Sequence, residues 1–190
     1  MLAILPLLEV NVMLRTLLVL LPGLLAVGAA IATETGADEF SGDVLALVNQ
    51  ARQSARTCGA EGHFPAAPPV GWSPQLAGAA EQHSRGMAAG APFSHRNAAG
   101  HGIAERAQAA GYSFRALGEN IYMGEARAAN AVASWLDSPG HCVNLMSADF
   151  SEIGAGVAYH PVKKRHFWTL MFGTPLDKTA SGHRQNWVLR

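Results

Sequence analysis

The sequence predicts an α+β domain in which helices pack on a small antiparallel sheet, and three features carry that prediction. Apolar residues recur at helical spacing over 44–51, 76–87 and 128–136. Further on, Ile153, Ala155, Val157 and Tyr159 alternate, and an apolar, aromatic run over 166–173 follows across the polar turn 161–165, the pattern of an antiparallel hairpin. This order sets helices against the sheet and leaves open whether they cover one face or both.

The chain has 190 residues, 49% of them hydrophobic, enough for one packed domain behind a leader. Formal net charge is zero, which supplies no basic field for nucleic acid. Neither repeats nor coiled-coil heptads name a partner.

Residues 1–32 read as a leader. Met13-Leu14-Arg15-Thr16 is a basic start, 17–32 is apolar, and Ala30-Ile31-Ala32 offers a small-residue cleavage site, so a secretory signal peptide beginning at Met13 is expected. Glu9 and Asn11 fit that pattern poorly, which points to Met13 as the natural start. The alternative is a membrane anchor, but the run is shorter than the ~20 residues a span needs and contains Pro22 and Gly23. No transmembrane segment is expected after cleavage, and the protein is expected outside the cytoplasm, secreted or periplasmic.

The folded domain is expected over 39–173. Ser41 is a candidate N-cap for a first helix with Val44, Leu45, Val48 and Ala51 on one face, running to about residue 56. Cys58 and Cys142 are the chain's two cysteines, and in an exported protein an isolated pair reads as a disulfide, here closing a loop of about 84 residues. A cysteine nucleophile or a zinc-thiolate site is disfavoured because neither has a partner at C-x-x-C spacing. Residues 59–71 are rich in Gly, Pro and Ala and read as a loop.

The next helix is well marked. Ser73 caps it, Pro74 takes the first helical position, and Leu76, Ala79, Ala80, His83 and Met87 share a face, on which His83 reads as a satisfied core histidine. Gly90 ends it and Pro92 prevents its resumption, leaving Phe93-Ser94-His95 in an irregular segment where a histidine can project into a cleft. His101 competes with His95 for such a role.

A short helix is expected over 102–110, with Ile103, Arg106 and Ala107 on one face, closed by Gly111. A strand over 117–123 carries Glu119, and a helix over 126–137 has Ala128, Val132, Trp135 and Leu136 as its apolar seam. Ser138-Pro139-Gly140 is expected to stop that helix. The tail, 174–190, is polar, and a flexible segment is expected there, with Trp187-Val188-Leu189 docking back.

Phe93-Ser94-His95, Gly118-Glu119-Asn120-Ile121, Trp135, Ser138-Pro139-Gly140-His141 and Glu152-Ile153-Gly154 together resemble the CAP superfamily. This is the group of cysteine-rich secretory proteins, antigen 5 and pathogenesis-related protein 1, and the likeness, over about 44–173, is to its bacterial SCP-like extracellular branch. The bacterial pattern usually has an aspartate where this chain has Ala99 before Gly100.

The resemblance implies a three-layer α-β-α sandwich and an open cleft in which His95, Glu119, His141 and Glu152 converge. It implies that His95 and His141 can hold zinc or another divalent metal, and two neutral imidazoles suit such an ion while leaving coordination positions open. Glu119 and Glu152 are the tentative catalytic pair, able to orient the histidines or to take a proton from water. Asn120 and Ser138 are expected to support the cleft.

Three functions remain open at this point. The first is an exported binding module for a lipid, sterol, peptide or envelope component. A metal-assisted hydrolase acting on peptide or envelope polymer is the second, although the chain has no His-Glu-x-x-His, Gly-x-Ser-x-Gly or Ser-His-Asp set. The third is a structural envelope protein without turnover, in which the four side chains form a charge-balanced network.

Overall fold

A computed structural model describes residues 43–176 together with Val188–Leu189. The expected cap Ser41, the leader and residues 177–187 lie outside the described residues. The elements in order are α1 (43–52), β1 (Arg56–Thr57), a 3-10 turn (Gly59–Glu61), β2 (His63–Phe64), β3 (Gly71–Trp72), α2 (Pro74–Ala88), α3 (Ile103–Ala109), β4 (Phe114–Gly124), α4 (Ala128–Asp137), α5 (Pro139–Met146), β5 (Glu152–His160), β6 (Arg165–Pro175) and β7 (Val188–Leu189).

The main sheet has five strands in the order β3-β5-β6-β4-β7. Its centre, β5-β6-β4, is antiparallel, while short β3 and β7 add to the outer strands in parallel. Because side chains alternate across a strand, each central strand serves two layers. Ile153 and Ala155 of β5, Trp168, Leu170 and Phe172 of β6 and Ala116 of β4 pack with Val44 and Val48 of α1, Ala131, Val132 and Trp135 of α4 and Leu145 of α5. On the opposite face, Leu117 of β4 and Met171 of β6 meet Leu76, Ala79 and Ala80 of α2 and Ala107 of α3. Helices therefore cover both faces, giving the three-layer α-β-α sandwich.

α2 follows its sequence signals. Leu76 N–H donates to Ser73 Oγ at 3.3 Å, Pro74 opens the helix, and Leu76, Ala79, Ala80, His83 and Met87 are buried. Burying Leu76 and Met87 contributes roughly 1.5–3 kcal/mol each. The helix sits unusually close to β5, for a Cβ on Gly154 would lie 2.0 Å from Ala77 N and one on Gly156 2.3 Å from Glu81 N. Both glycines stand on the α2 side of β5, where the absence of a side chain sets the distance between layers. Ser84 completes the contact, its hydroxyl 3.0 Å from Gly156 O and 2.8 Å from Thr169 Oγ1.

Several local expectations change. α1 ends at residue 52, and Arg56 lies in a short strand. Within the expected loop 59–71, β2 pairs antiparallel with β1, and Gly71 pairs with Glu152 of β5. Ser138-Pro139-Gly140 ends α4 and at once begins α5, because a proline at the first helical position has no N–H to satisfy. The strand expected over 117–123 extends to Phe114 and Gly124. Val188–Leu189 do return to the domain, pairing in parallel with Ala116 and Leu117.

Arg52, the last residue of α1, was not singled out by its sequence pattern. Its guanidinium is fully buried, donating from Nε to Pro68 O at 2.7 Å, from Nη1 to Leu145 O at 2.8 Å and Ser147 O at 2.9 Å, and from Nη2 to Phe150 O at 3.3 Å. Burial lowers its pKa. Four carbonyls from two segments thus fix the end of α5 to α1. The Cys58–Cys142 disulfide holds the beginning of α5, joining it to the 3-10 turn beyond α1, with Cα atoms 5.5 Å apart.

Candidate functional site

β4 brings the site together because its outer edge is open. β7 pairs only with Ala116 and Leu117, so from Gly118 onward no described strand covers that side. The free carbonyl of Glu119 accepts from Asn144 Nδ2 of α5 at 3.3 Å, and the same Nδ2 lies 2.9 Å from Asn120 Oδ1. Asn120 Nδ2 in turn donates to His141 O at 3.0 Å. Alternation sends Asn120 toward α5 and Glu119 toward the α2 and α3 layer, so β4 links the walls on its two sides.

Glu119 is the buried centre of this arrangement. Its side chain is 1% exposed, whereas that of His95 is 53% exposed. Glu119 Oε1 lies 2.9 Å from His95 Nδ1, and Oε2 accepts from Arg106 Nη2 at 2.6 Å. Arg106, itself buried on α3, also donates from Nη2 to His95 O at 3.1 Å. The other guanidinium nitrogens of Arg106, Nε and Nη1, have no hydrogen-bond partner. A carboxylate facing Nδ1 holds the hydrogen on that nitrogen, so that in the uncharged ring Nε2 is the lone-pair nitrogen.

The loop carrying His95 has a second anchor. His83 Nε2 lies 2.8 Å from Ser94 O, so the core histidine expected on α2 is satisfied by the residue preceding His95. Burial, followed by the charge of Arg106, lowers the pKa of His83, which keeps the ring neutral.

His95, Glu119, His141 and Asn144 line a cleft of about 590 Å³, together with Ile103 and Glu105 of α3. His141 stands in the first turn of α5, and burial followed by the nearby charge of His95 lowers its pKa. His141 therefore offers a neutral imidazole near neutral pH. No group of three or more His, Cys, Asp or Glu side chains that could hold a metal occurs among the described residues.

Glu152 does not join this cluster. Strand order places β6 between β5 and β4, and the register sets Glu152 opposite Gly173, which pairs with Leu117 rather than Glu119. Two strand spacings alone separate the two glutamate backbones by roughly 10 Å. Glu152 instead accepts from Tyr112 OH at 2.7 Å, and burial together with that carboxylate raises the Tyr112 pKa. Ser138 also stays off the cleft wall, serving as the residue shared by the end of α4 and the start of α5. His101 is exposed, its backbone N–H bonded to Asn97 Oδ1.

Arg106 and Asn144 are the site residues that sequence reasoning missed. For Arg106 there was a signal, since a cation on the apolar face of a short helix demands a buried acceptor. Asn144 gave none, because its partners belong to β4, more than twenty residues away.

The profile of the CAP, cysteine-rich secretory protein family matches residues 45–172. The chain belongs to that family. Similar curated proteins from Bacillus subtilis are the uncharacterized protein YkwD, 34% identical over 62 residues, and the uncharacterized membrane protein YlbC, 31% identical over 86. The matches cover 33% and 45% of this chain, and only 23% and 25% of those proteins.

Among solved structures, an extracellular protein containing an SCP domain from Bacillus anthracis is similar with a TM-score of 0.51 and 31% identity, over 56% of this chain and 34% of that one. An outer surface protein from Borrelia burgdorferi is similar with a TM-score of 0.57 and 16% identity, over 76% and 96% of the two chains. Schistosoma mansoni venom allergen-like protein 4 reaches 0.53 at 14% identity, over 73% and 90%. The last two likenesses bear on the fold alone.

Proposed function

We propose that this chain is an exported CAP domain acting as a binding module, with a lipid, peptide or envelope component seated in the cleft between His95 and His141. The observation that carries the reading is the chain Arg106–Glu119–His95. A buried ion pair holds one imidazole by Nδ1 and leaves its other nitrogen for a ligand, in a cleft that His141 also lines. Export is supported by the leader pattern and by the Cys58–Cys142 disulfide, a bond that persists in oxidising compartments.

The donor set suits a divalent ion held by two histidines, weakly and exchangeably, since a stable structural zinc site has four protein ligands. Such an ion would supply open coordination positions for a polar group of the ligand. Binding is favoured over hydrolysis because both oxygens of Glu119 are engaged and Glu152 is bonded to Tyr112, so neither is a free carboxylate at the cleft.

Calorimetric titration of the chain with zinc tests the ligand set. Wild type is expected to take up one equivalent that a chelator removes, and the double variant His95→Ala with His141→Ala is expected to take up none. Equal stoichiometry in both proteins rejects the pair as ligands. Extraction of lipid from protein recovered from a native envelope, compared with a Gly140→Leu variant that narrows the cleft, tests the larger ligand: equal yields would count against occupation of this cleft.

A further inference from the structure

We propose that the β5–β6 hairpin end of the molecule is a docking surface for an anionic lipid bilayer. The large hydrophobic side chains exposed among the described residues are Phe93, Met123, Tyr159 and Val162, and all four belong to this end. Met123 pairs with Phe167 and Tyr159 with His166, beside the turn of the hairpin. The Phe93 ring lies 6.1 Å from that of Phe167. Val162, in the turn itself, is 85% exposed.

Charge is concentrated at the same place. Lys163-Lys164-Arg165 close the turn as exposed side chains, and no acidic residue occurs between Ile153 and Pro175. Lys163 Nζ lies 5.5 Å from the centroid of the Phe167 ring. Glu125, just beyond β4, accepts from Asn130 Nδ2. In a chain of zero formal net charge, this is a local excess of positive charge surrounding exposed apolar groups.

That combination selects the partner. A soluble polyanion needs the cations but gains nothing from Val162, Met123 and Phe93, whereas a bilayer surface takes both, with apolar groups entering the acyl boundary and lysine heads at the phosphates. Tyrosine, apolar in its ring and polar at its tip, suits the same interface. Phe93 precedes His95 by two residues, and Met123 shares the Glu119 face of β4, so docking would bring the loop carrying His95 toward the surface. The proposal does not rest on the cleft and survives failure of the zinc titration.

An environment-sensitive dye tests it locally on the full chain. One sample carries the dye on Val162→Cys and another on Gln108→Cys, an exposed position on α3, which leads into the beginning of β4 while the hairpin pairs with its end. With vesicles containing roughly one-third phosphatidylglycerol in phosphatidylcholine, emission at 162 is expected to rise about twofold or more and emission at 108 to stay flat. Phosphatidylcholine alone should leave both unchanged, and Lys163→Glu with Arg165→Glu should abolish the rise at 162. Equal responses at the two positions, an equal response on uncharged vesicles, or a response to soluble polyphosphate without one to vesicles would each overturn the proposal.

Discussion

Glu119 joins the packing of the domain to its cleft. Removing its charge in Glu119→Gln leaves the Arg106 cation buried without a counter-ion, a change that typically costs about 3–5 kcal/mol. Urea unfolding should register that loss, while Gln108→Ala, an exposed change on α3, should stay within about 0.5 kcal/mol. The His95 ring should become less ordered in Glu119→Gln, visible as broadened imidazole resonances. Buried His83 and half-buried His141 give a pH dependence of defined sign. Burial lowers the pKa of His83 and His141 below the ordinary histidine value of 6.5, so the unfolded chain takes up protons more readily. Their contribution is complete above that value and is lost as pH falls below it toward the lowered folded values. Thermal melts between about pH 7.5 and about pH 5 should show a falling midpoint, with a shallower fall in His83→Gln, whose amide can still donate to Ser94 O.

At the scale of elements, the closeness of α2 to β5 governs stability. Gly154→Ala introduces a methyl 2.0 Å from the Ala77 backbone, which a rotamer change cannot relieve, and should cost about 1–3 kcal/mol or more in a denaturant melt. Gly140→Ala, at a helical position with nothing near its Cβ, should change stability by no more than about 0.5–1 kcal/mol in either direction. α2 and the β5–β6 hairpin were legible because each has an apolar face of the right period and clear stop signals. α5 was not. Ser-Pro-Gly stops one helix and starts another with the same three residues, and local sequence does not distinguish a break followed by a loop from a break followed by a turn of helix.

Over the whole molecule, α5 is held at both ends by distant parts of the chain. Cys142 is bonded to Cys58, 84 positions earlier, and the far end is held by Arg52. Reduction of the disulfide is expected to lower stability by roughly 4–5 kcal/mol through the lost loop constraint. Hydrogen exchange before and after reduction should show α5 amides opening more than those of β5 and β6, and an equal change in both would show that the bridge acts only on the unfolded chain. Since His141 adjoins Cys142, zinc uptake should weaken on reduction for the same reason.

The sequence by itself determined the helices, the antiparallel hairpin, the cysteine pair and the motifs that supply His95, Glu119 and His141, because helix and strand periods and turn residues are local properties of the chain. The three-layer sandwich followed from the family resemblance and not from those periods. Tertiary structure alone decided which of the four motif side chains share a wall. Strand order placed β6 between Glu119 and Glu152, and the open edge of β4 exposed a carbonyl to Asn144. Pairing partners for buried charges, such as Glu119 for Arg106 or four carbonyls for Arg52, come from other elements and loops than the one that carries the charge. Register and layer spacing bring them together, and neither is written in any single stretch of residues.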